Sequence, residues 1–536
     1  MARTSIIPAD PDLRDALRLA ALFAVFKLVL HIATNAWEAH IGWGYFRDEL
    51  YYILCGQHLA WGYVDHGPMV AVQARLAILL FGKSLVGLRL FSALAGAKQV
   101  FLTGLIAWAL GGRRPAQALA MLCVMVAPQY LGIDSFLSMN SFESPFWMSC
   151  ILIVILMQRR AIAGVPRPQL WLVLGTVAGF GLLNKPSMLF FLSALLIGIL
   201  LTPQRRLLAS RYFFFAIALV VLITLPYLLW QIHNHFPTWE FLRNGQIQNK
   251  NVILSPLAFL GDQIQNLHPL TVFVWVAGLI SLLRNKSAHG YRWIGFAFLI
   301  FLALMIKMHA KNYYVTPIYP MLFAAGGIAW ERTFALRGWG KGLIQRNRAF
   351  AFPIMQSLLI ITGILILPMA IPVMRPQTWV AYTRALHLKS DNTENEKTGP
   401  LPQFYADRFG WQEEVDAVSR IYHTLPPADQ ARVGIYCSNY GEASAINFLG
   451  AKYGLPFAIS GHNNYYLWGP NGYSGELMIN INGSSLEEMK QVYTSVEIVG
   501  RMDNPWSMPY EHRNIYLARG RKVNLSSEWP EFKLYI

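Results

Sequence analysis

Charged residues are scarce in this sequence. Only 14% of its 536 residues are charged, whereas 54% are hydrophobic and the mean hydropathy is +0.35. A soluble protein with these values would expose a large apolar surface to water, and soluble monomers rarely do so. The composition therefore excludes an ordinary soluble protein and indicates an integral membrane protein.

Cysteine is also rare, and the few cysteines are not grouped. No two of the four have the Cys-x-x-Cys spacing of a metal or redox site, and two of them lie in apolar segments. We therefore infer neither a zinc site nor a disulfide framework, and we assign no cofactor. The four residues are Cys55, Cys123, Cys150 and Cys437.

Acidic residues are fewer than basic ones, 29 against 45, which gives a formal net charge of +16. In a soluble protein this excess would suggest nucleic acid as a partner. Here the basic residues cluster in short loops between apolar segments, so the positive-inside rule explains them and no nucleic-acid partner is expected. The loops predicted to be cytoplasmic contain Arg113, Arg114, Arg159, Arg160, Arg167, Arg205, Arg206, Arg211, Arg284, Lys286, Arg292, Arg332, Arg337, Lys341, Arg346 and Arg348.

Long apolar runs predict eleven membrane-spanning helices, since a bilayer core needs about 20 apolar residues per helix. An odd number of spans places the N-terminus in the cytoplasm and the C-terminus outside, in agreement with the loop charges. Residues 69–81 are amphipathic and too short to span, and we expect an interfacial helix there on the outer side. The predicted spans begin near Leu17, Leu85, Pro115, Phe142, Leu170, Pro186, Tyr212, Leu270, Trp293, Tyr313 and Phe350.

The sequence changes character near its C-terminal quarter. We expect a membrane domain over residues 1–375, a polar linker over 376–400 and a soluble domain over 401–536. In the last of these, "RVGIYCSN", "GELMININ", "SVEIVGRM" and "NIYLARG" are typical of strands, and "GWQEEVDAVSRIYHTL" of a helix. The alternation of strands and helices predicts a small extracytoplasmic α/β domain.

Two motifs of the C-terminal domain allow a structural interpretation, and for the first of them a functional one is also open. Tyr465, Tyr466 and Trp468 either stack on a sugar or pack the domain against the membrane part. The run "SNYGEA" is compatible with a strand-to-helix turn in which Asn439 caps the helix.

Acids are concentrated in the loops predicted to lie outside. Asp48 and Glu49 follow the first span, and the next outer loop contains Asn140 and Glu143. Ionisable residues near hydrocarbon are costly and predict function, although an ion pair with a neighbouring arginine is the structural alternative. A carboxylate at such a place can accept a proton from a hydroxyl group.

Cations lie in the same set of loops. Lys185 joins two spans in "LLNKPSML", Lys311 lies in "KMHAKNYYVTPIYP", and Arg243 lies in the long fourth outer loop. Lysine and arginine can hold a phosphate, although lysines at span ends also extend to the interface without any further role. Acids and cations together predict transfer from a phosphate leaving group to a hydroxyl acceptor at the membrane surface.

Several motifs resemble one known family. "RDELYY", "GYVDHGPMVA", "GLRLFSAL", "LLNKPSMLFF" and "KNYYVTPIYPMLFAAGG" are similar to bacterial members of the dolichyl-phosphate-mannose protein mannosyltransferase superfamily, related to the aminoarabinose and galacturonic acid transferases of lipopolysaccharide. The resemblance covers roughly residues 15–330. It implies a GT-C fold in a bacterial inner membrane, with a periplasmic active site, a polyprenyl-phosphate sugar donor and inversion at the anomeric carbon.

The resemblance also implies roles for individual residues. The first-loop acid of such enzymes acts on the acceptor as base or orienting group, which here matches Asp48 with Glu49 beside it. Lys185 and Lys311 match positions that hold the lipid phosphate, and we add Arg243 to this group. The remaining residues expected to bind substrate are Asp65, His66, Asn140, Glu143 and Tyr314.

One departure from the family pattern leaves a question open. Many relatives have an aspartate in the second outer loop, in a "TDAPL"-like run, where this chain has "MNSFESPFW" with Asn140 and Glu143. Whether a second acid takes part, and whether a divalent metal is bound, is therefore undecided, and no metal is assigned. The sequence does not identify the sugar or the acceptor, which is a glycolipid, polysaccharide or protein.

Three other functions are compatible with the composition. A transporter or flippase of a lipid-linked sugar would need charges near the middle of the bilayer and repeat symmetry. A binding protein anchored by its membrane part would not need eleven spans. A ligase or polymerase acting on lipid-linked oligosaccharide would keep the same enzyme class.

Overall fold

The computed structural model describes residues 12–284, 290–335, 343–388 and 394–536. Lys286, Arg337 and Lys341 of the predicted cytoplasmic loops, and residues 389–393 of the predicted linker, lie outside these ranges.

The first part of the chain is helical. Its helices are α1 Leu13–His40, α2 Arg47–Gln57, α3 Pro68–Phe81, α4 Leu85–Ala109, α5 Arg114–Val126, α6 Pro128–Ile133, α7 Met139–Ile162, α8 Leu170–Asn184, α9 Ser187–Leu200, α10 Arg211–His233, α11 Pro237–Ile247, α12 Pro256–Asn266, α13 Val272–Arg284, α14 Arg292–Lys307, α15 Pro320–Trp330 and α16 Leu343–Ala370. Between them lie the 3₁₀ segments Pro203–Ala209, Pro269–Thr271 and Asn312–Ile318 and the π-helical turn Glu331–Ala335.

A helix lies at each of the eleven positions where the sequence predicts a span. By length and apolarity, five helices of the described chain are able to cross a membrane, or up to seven if each of two sharply bent helix pairs counts as one span. Eleven spans therefore stay a prediction. The predicted start near Tyr313 is displaced, because Asn312–Ile318 is a 3₁₀ helix around Pro317 and α15 begins only at Pro320.

Contacts divide the chain into two compact units. The first, the helical unit, comprises Met1–Asn35, Arg89–Pro226 and Ile253–Val373. The second, the mixed unit, comprises Ala36–Leu88, Tyr227–Val252 and Met374–Ile536. Two segments from the first part of the chain thus pack with the C-terminal region.

The core of the helical unit is built from aromatic side chains and close backbone contacts. Trp147 stacks on Phe191 at 4.6 Å between ring centroids and meets Phe301 edge-on at 5.0 Å. Helices α13 and α15 approach through glycines: a Cβ on Gly326 would lie 2.0 Å from the carbonyl oxygen of Val274. Small residues at such crossings let backbones pack closely where lipid supplies no hydrophobic driving force.

The C-terminal part of the mixed unit carries a five-stranded sheet. Its order is β2-β1-β3-β5-β4, with β1 parallel to β2 and β3, and β5 antiparallel to β3 and β4. The four predicted strands are confirmed, and only the two-residue β2 was missed. The strands are β1 Gly434–Cys437, β2 Ala458–Ile459, β3 Leu477–Ile481, β4 Tyr493–Arg501 and β5 Asn514–Arg521.

The described part of this region also contains eight short helices. They are α17 Pro376–Ala385, α18 Gln403–Ala406, α19 Trp411–Thr424, α20 Pro427–Gln430, α21 Tyr440–Leu449, α22 Asn464–Trp468, α23 Leu486–Val492 and α24 Leu525–Glu528. Helix α17 lies in the predicted linker and buries Trp379, so that stretch is partly ordered into a helix. The extent of the predicted domains themselves stays a prediction.

Candidate active-site residues

Helix α2 places the first acid pair in its opening turn. Glu49, at the third position, is buried, and its Oε2 accepts the backbone N–H of Phe46 at 2.8 Å. This contact satisfies an amide that would otherwise lack a partner at the helix start, and acids there also interact favourably with the helix dipole. The structure thus gives one oxygen of Glu49 a structural role.

Asp48, the neighbouring acid, keeps access to solvent. Its side chain is 31% exposed, and Oδ1 accepts the hydroxyl of Tyr440 at 2.8 Å. The Nε atom of Arg47 lies 3.8 Å from the same oxygen. We name Arg47, Asp48, Tyr51, Asp65 and Tyr440 the Asp48 cluster; all five belong to the mixed unit.

Asp65 and His66 lie in the loop between α2 and α3 and are held from several sides. Oδ1 of Asp65 accepts the Tyr51 hydroxyl at 3.0 Å. The His66 ring stacks on Tyr63 at 4.5 Å, and its Nδ1 contacts the carbonyl of Gly67 at 2.8 Å. These contacts fix the positions of both side chains within the loop.

Burial sets the protonation of these two residues. It raises the pKa of Asp65, against the opposing effects of neighbouring His66 and of the hydrogen bond from Tyr51. It lowers the pKa of His66, against the opposing charge of Asp65. At neutral pH the imidazole is accordingly neutral, and its role is to pack and to accept or donate hydrogen bonds rather than to carry charge.

A second group of predicted residues meets in the helical unit. Lys185 ends α8 in an extended conformation just before Pro186, and its Nζ donates to Asn140 Oδ1 at 2.7 Å and to Glu143 Oε2 at 2.8 Å. The ammonium also lies 4.1 Å from the centroid of the Tyr314 ring. We name Asn140, Glu143, Lys185 and Tyr314 the Lys185 cluster.

The Lys185 cluster is deeply buried. The side chains of Lys185 and Glu143 are 8% and 4% exposed, and Glu143 also accepts the Ser187 hydroxyl. A lysine has three N–H donors, and two of them are used within this cluster. A phosphate bound here would take the third donor or compete with Glu143.

The last two predicted cations occupy different places. Lys311 is half-buried and caps the 3₁₀ helix Asn312–Ile318, which carries Tyr314. Arg243 is exposed on α11. The structure therefore brings together four of the predicted residues around Lys185, and Lys311 shares with Tyr314 the segment that follows α14.

The C-terminal motifs have structural explanations. Asn439 caps α21, accepting the backbone N–H groups of Gly441 and Glu442 at 2.8 and 3.1 Å, as the helix-cap interpretation predicts. Tyr465 is 1% exposed, and Trp468 stacks on His58 at 4.5 Å, so both pack within the mixed unit.

Three members of the Asp48 cluster, Arg47, Tyr51 and Tyr440, were not predicted as site residues. Tyr440 is 392 positions from Asp48 in the chain, and no local pattern connects them. Arg47 was weighed only as an ion-pair partner. Within the described ranges, no group of three or more histidines, cysteines or acids is arranged to hold a metal ion.

Comparisons with known proteins agree with the motifs. The family described as "Dolichyl-phosphate-mannose-protein mannosyltransferase" matches residues 65–230, a segment that contains Asp65, His66 and the first three members of the Lys185 cluster. No curated protein matches the chain in sequence.

Solved structures match nearly the whole chain. ArnT from Cupriavidus metallidurans in the apo state matches with a TM-score of 0.58 and 14% identity, over 93% of this chain and 97% of that one. The same protein bound to undecaprenyl phosphate matches with a TM-score of 0.58 and 15% identity over the same shares. The oligosaccharyltransferase AglB from Archaeoglobus fulgidus, in complex with an inhibitory peptide and a dolichol-phosphate, matches with a TM-score of 0.46 and 14% identity, over 83% of this chain and 64% of that one.

These findings confirm the resemblance to the mannosyltransferase superfamily. The chain shares its fold with ArnT: a largely helical, apolar body followed by a small C-terminal sheet. The matched segment of the family begins after Asp48, so the match itself says nothing about that acid.

Proposed function

We propose that the protein is a membrane glycosyltransferase that moves a sugar from a polyprenyl-phosphate carrier to an acceptor hydroxyl on the outer face of a bacterial inner membrane. The observation that carries this proposal is the family match over residues 65–230, which includes the buried Lys185 ammonium. Undecaprenyl phosphate is what one structural neighbour binds. The donor of this protein is of the same chemical class.

The proposed reaction is an inverting displacement. Asp48 accepts the proton of the acceptor hydroxyl while its oxygen attacks the anomeric carbon from the face opposite the phosphate. The bond from that carbon to the phosphate oxygen breaks, and the lipid phosphate leaves with the electron pair. A part-exposed carboxylate is suited to this role, because it can reach a hydroxyl that arrives from solvent and accept its proton.

Cations assist departure of the phosphate in this proposal. Lys185, Lys311 and Arg243 stabilise the charge that develops on the leaving group, which lowers the barrier where negative charge grows. The Lys185 ammonium is suited to this because Asn140 and Glu143 hold it in position before the donor binds.

The loops that face substrate are proposed to lie on the periplasmic side of the membrane. The alternation of basic and less basic loops supports this orientation, with the N-terminus in the cytoplasm and the C-terminal domain in the periplasm. Helix α3 is proposed to lie in the interface: Val72, Leu76 and Leu79 are exposed along one of its faces.

The experiment uses purified full-length protein in nanodiscs. Undecaprenyl-phosphate-linked mannose, glucose and aminoarabinose are supplied in turn, with an envelope extract from cells that lack the protein as acceptor source. The proposal predicts that one donor yields free undecaprenyl phosphate together with a glycosylated product detected by mass spectrometry. Absence of both products with every donor would contradict it.

One observation favours a flippase of a lipid-linked sugar as a second candidate. Lys27 lies near the middle of α1, is buried, and pairs with Asp134 at 3.1 Å. Charges in the middle of a span line transport pathways in many membrane proteins. A flippase would move intact donor across a vesicle membrane without cleaving it, so the two candidates differ in whether lipid phosphate is released.

A further inference from the structure

Helix α21 begins where the first parallel strand of the sheet ends, and its opening turn is tightly fixed. Asn439 caps it from one side, and Glu442 Oε2 accepts the backbone N–H groups of Ser438 and Asn439 at 2.8 and 3.2 Å. This reciprocal cap fixes the backbone position of the first helical residue, Tyr440.

The Tyr440 side chain extends from this turn to helix α2. Its ring is 8% exposed and stacks on Tyr51 at 4.6 Å, and the ring of His462 lies 4.7 Å away. The ring is therefore held on more than one side, and its hydroxyl is left to donate to Asp48 Oδ1 at 2.8 Å. Burial raises the pKa of Tyr440, so the hydroxyl keeps its proton and donates it in the hydrogen bond.

The backbone at the start of α2 is fixed by the same region. The N–H of Arg47 donates to the carbonyl of Asp407 at 2.9 Å, and its guanidinium contacts Tyr510 and the Asp407 carboxylate. Gly441 is needed for this approach, because a Cβ there would lie 2.6 Å from the Arg47 side chain. Residues of the C-terminal sheet region thus set both the position of Asp48 and the direction of its carboxylate.

We propose that Tyr440 is a positioning residue for the acceptor step. By binding Oδ1, its hydroxyl fixes the plane of the Asp48 carboxylate and leaves Oδ2 for the acceptor hydroxyl. The inference rests on the proposed function, and it assigns to the C-terminal domain a part in the reaction that the family match does not cover, since that match ends at residue 230.

The test is a double-mutant cycle in the full-length protein. Tyr440→Phe removes the hydroxyl and keeps the ring, and we expect kcat to fall roughly 10- to 100-fold, the usual effect of losing a hydrogen bond to a charged group, with the donor KM unchanged. In the Asp48→Asn background, Tyr440→Phe is expected to have no further effect, because residues that act as a unit are not additive.

Tyr516→Phe is the matched control. Tyr516 is also buried in the same region, and its hydroxyl donates to the carbonyl of Ser484 at 2.8 Å. Removing that hydroxyl therefore measures the structural cost of losing one buried tyrosine hydroxyl there. We expect kcat to stay within about twofold of wild type, since this hydroxyl touches no member of the Asp48 cluster. The thermal unfolding midpoint of each variant is measured alongside.

Two results would overturn the inference. One is wild-type kcat in Tyr440→Phe; the other is an equal loss of kcat in the wild-type and Asp48→Asn backgrounds. A separate cycle on unfolding midpoints measures whether Tyr440 and Asp48 interact at all, independently of turnover. If the unfolding midpoints of the variants are not additive but the protein transfers no sugar, the Tyr440–Asp48 contact is real and the proposed function is wrong. The positioning role of Tyr440 is then overturned with it.

Discussion

At the scale of single residues, the pairing of Lys185 with Glu143 bears directly on the phosphate-binding role proposed for Lys185. A buried ammonium without a partner is costly, and so is a buried carboxylate; here each is the partner of the other, with Nζ and Oε2 2.8 Å apart. A lipid phosphate that binds Lys185 would weaken its contact with Glu143. Without substrate the cluster already contains an ion pair, so an anion that binds there has to share the Lys185 ammonium with Glu143.

Stability and donor use can be separated at this pair. Lys185→Met leaves Glu143 buried without its partner and is expected to cost about 3–5 kcal/mol of stability. Adding Glu143→Gln should restore most of that stability, while the donor KM stays raised at least about 10-fold, because the cation is still missing. Unfolding midpoints and donor kinetics of both variants check this.

Lys307→Met is the control for this pair of variants. Lys307 ends α14 and is exposed. Its replacement should therefore leave the unfolding midpoint unchanged and the donor KM within about twofold of wild type. Recovery of donor use together with stability in the double variant would show that Lys185 serves only as a structural partner of Glu143.

A single histidine gives the mixed unit a predictable acid response. Burial lowers the pKa of His462 from its ordinary value of 6.5 to about 3, with Lys250 and Arg47 adding to the shift. Between these values the unfolded chain binds a proton that the folded chain does not, so stability falls as the pH is lowered through that range.

The prediction is tested by unfolding midpoints between about pH 4 and pH 7.5. His462→Gln should have a shallower decline towards low pH than wild type, because it removes the group that takes up the proton on unfolding. His423→Gln, at an exposed position of α19, should keep the wild-type decline. Identical slopes in all three proteins would refute the assignment.

At the scale of elements, the crossing of α13 and α15 depends on glycine. A Cβ on Gly326 would lie 2.0 Å from the carbonyl oxygen of Val274, and one on Gly278 would lie 2.2 Å from that of Leu322. Both contacts involve backbone, which cannot rotate away as a side chain can. The two helices would have to separate to admit even a methyl group.

Gly326→Ala is therefore expected to destabilise the protein by at least about 1–3 kcal/mol, the range for overpacked cores. Gly261→Ala is the control, because a Cβ on Gly261 in α12 would meet nothing within 4 Å. That variant should be neutral or slightly stabilising, since alanine favours helices over glycine. The measurement is the unfolding midpoint of each variant in detergent. Equal midpoints for Gly326→Ala and Gly261→Ala would disprove the packing argument.

At the scale of the whole molecule, local patterns predicted the elements but not their assembly. Apolar runs located the helices at the predicted spans but not α2, α11 and α12, which lie in stretches predicted to be outer loops. Alternation located β1, β3, β4 and β5. Around Pro317 the segment Asn312–Ile318 forms a 3₁₀ helix, so α15 begins only at Pro320, several residues after the predicted start near Tyr313. The two-residue β2 is too short to give any pattern.

The composition of the site was predictable only in part. Asn140, Glu143 and Lys185 were identified from residue type and loop position, and the structure brings them together. The Tyr440–Asp48 hydrogen bond was not predictable, because it joins residues whose proximity results from the packing of α2 against α21. The contact of Glu49 with the Phe46 amide was not predictable either. An acid at the start of a helix can serve as a cap or as a catalytic group, and the sequence alone does not distinguish the two.

The most direct measurement is turnover of undecaprenyl-phosphate sugar by Asp48→Asn in nanodiscs, with Asp503→Asn, an exposed aspartate of the same unit, as control. The account predicts that Asp48→Asn releases lipid phosphate about 100- to 10,000-fold more slowly than wild type, the usual cost of losing a general base. Asp503→Asn should keep the wild-type rate. Turnover by Asp48→Asn within severalfold of wild type would contradict the role assigned to this carboxylate and the mechanism built on it.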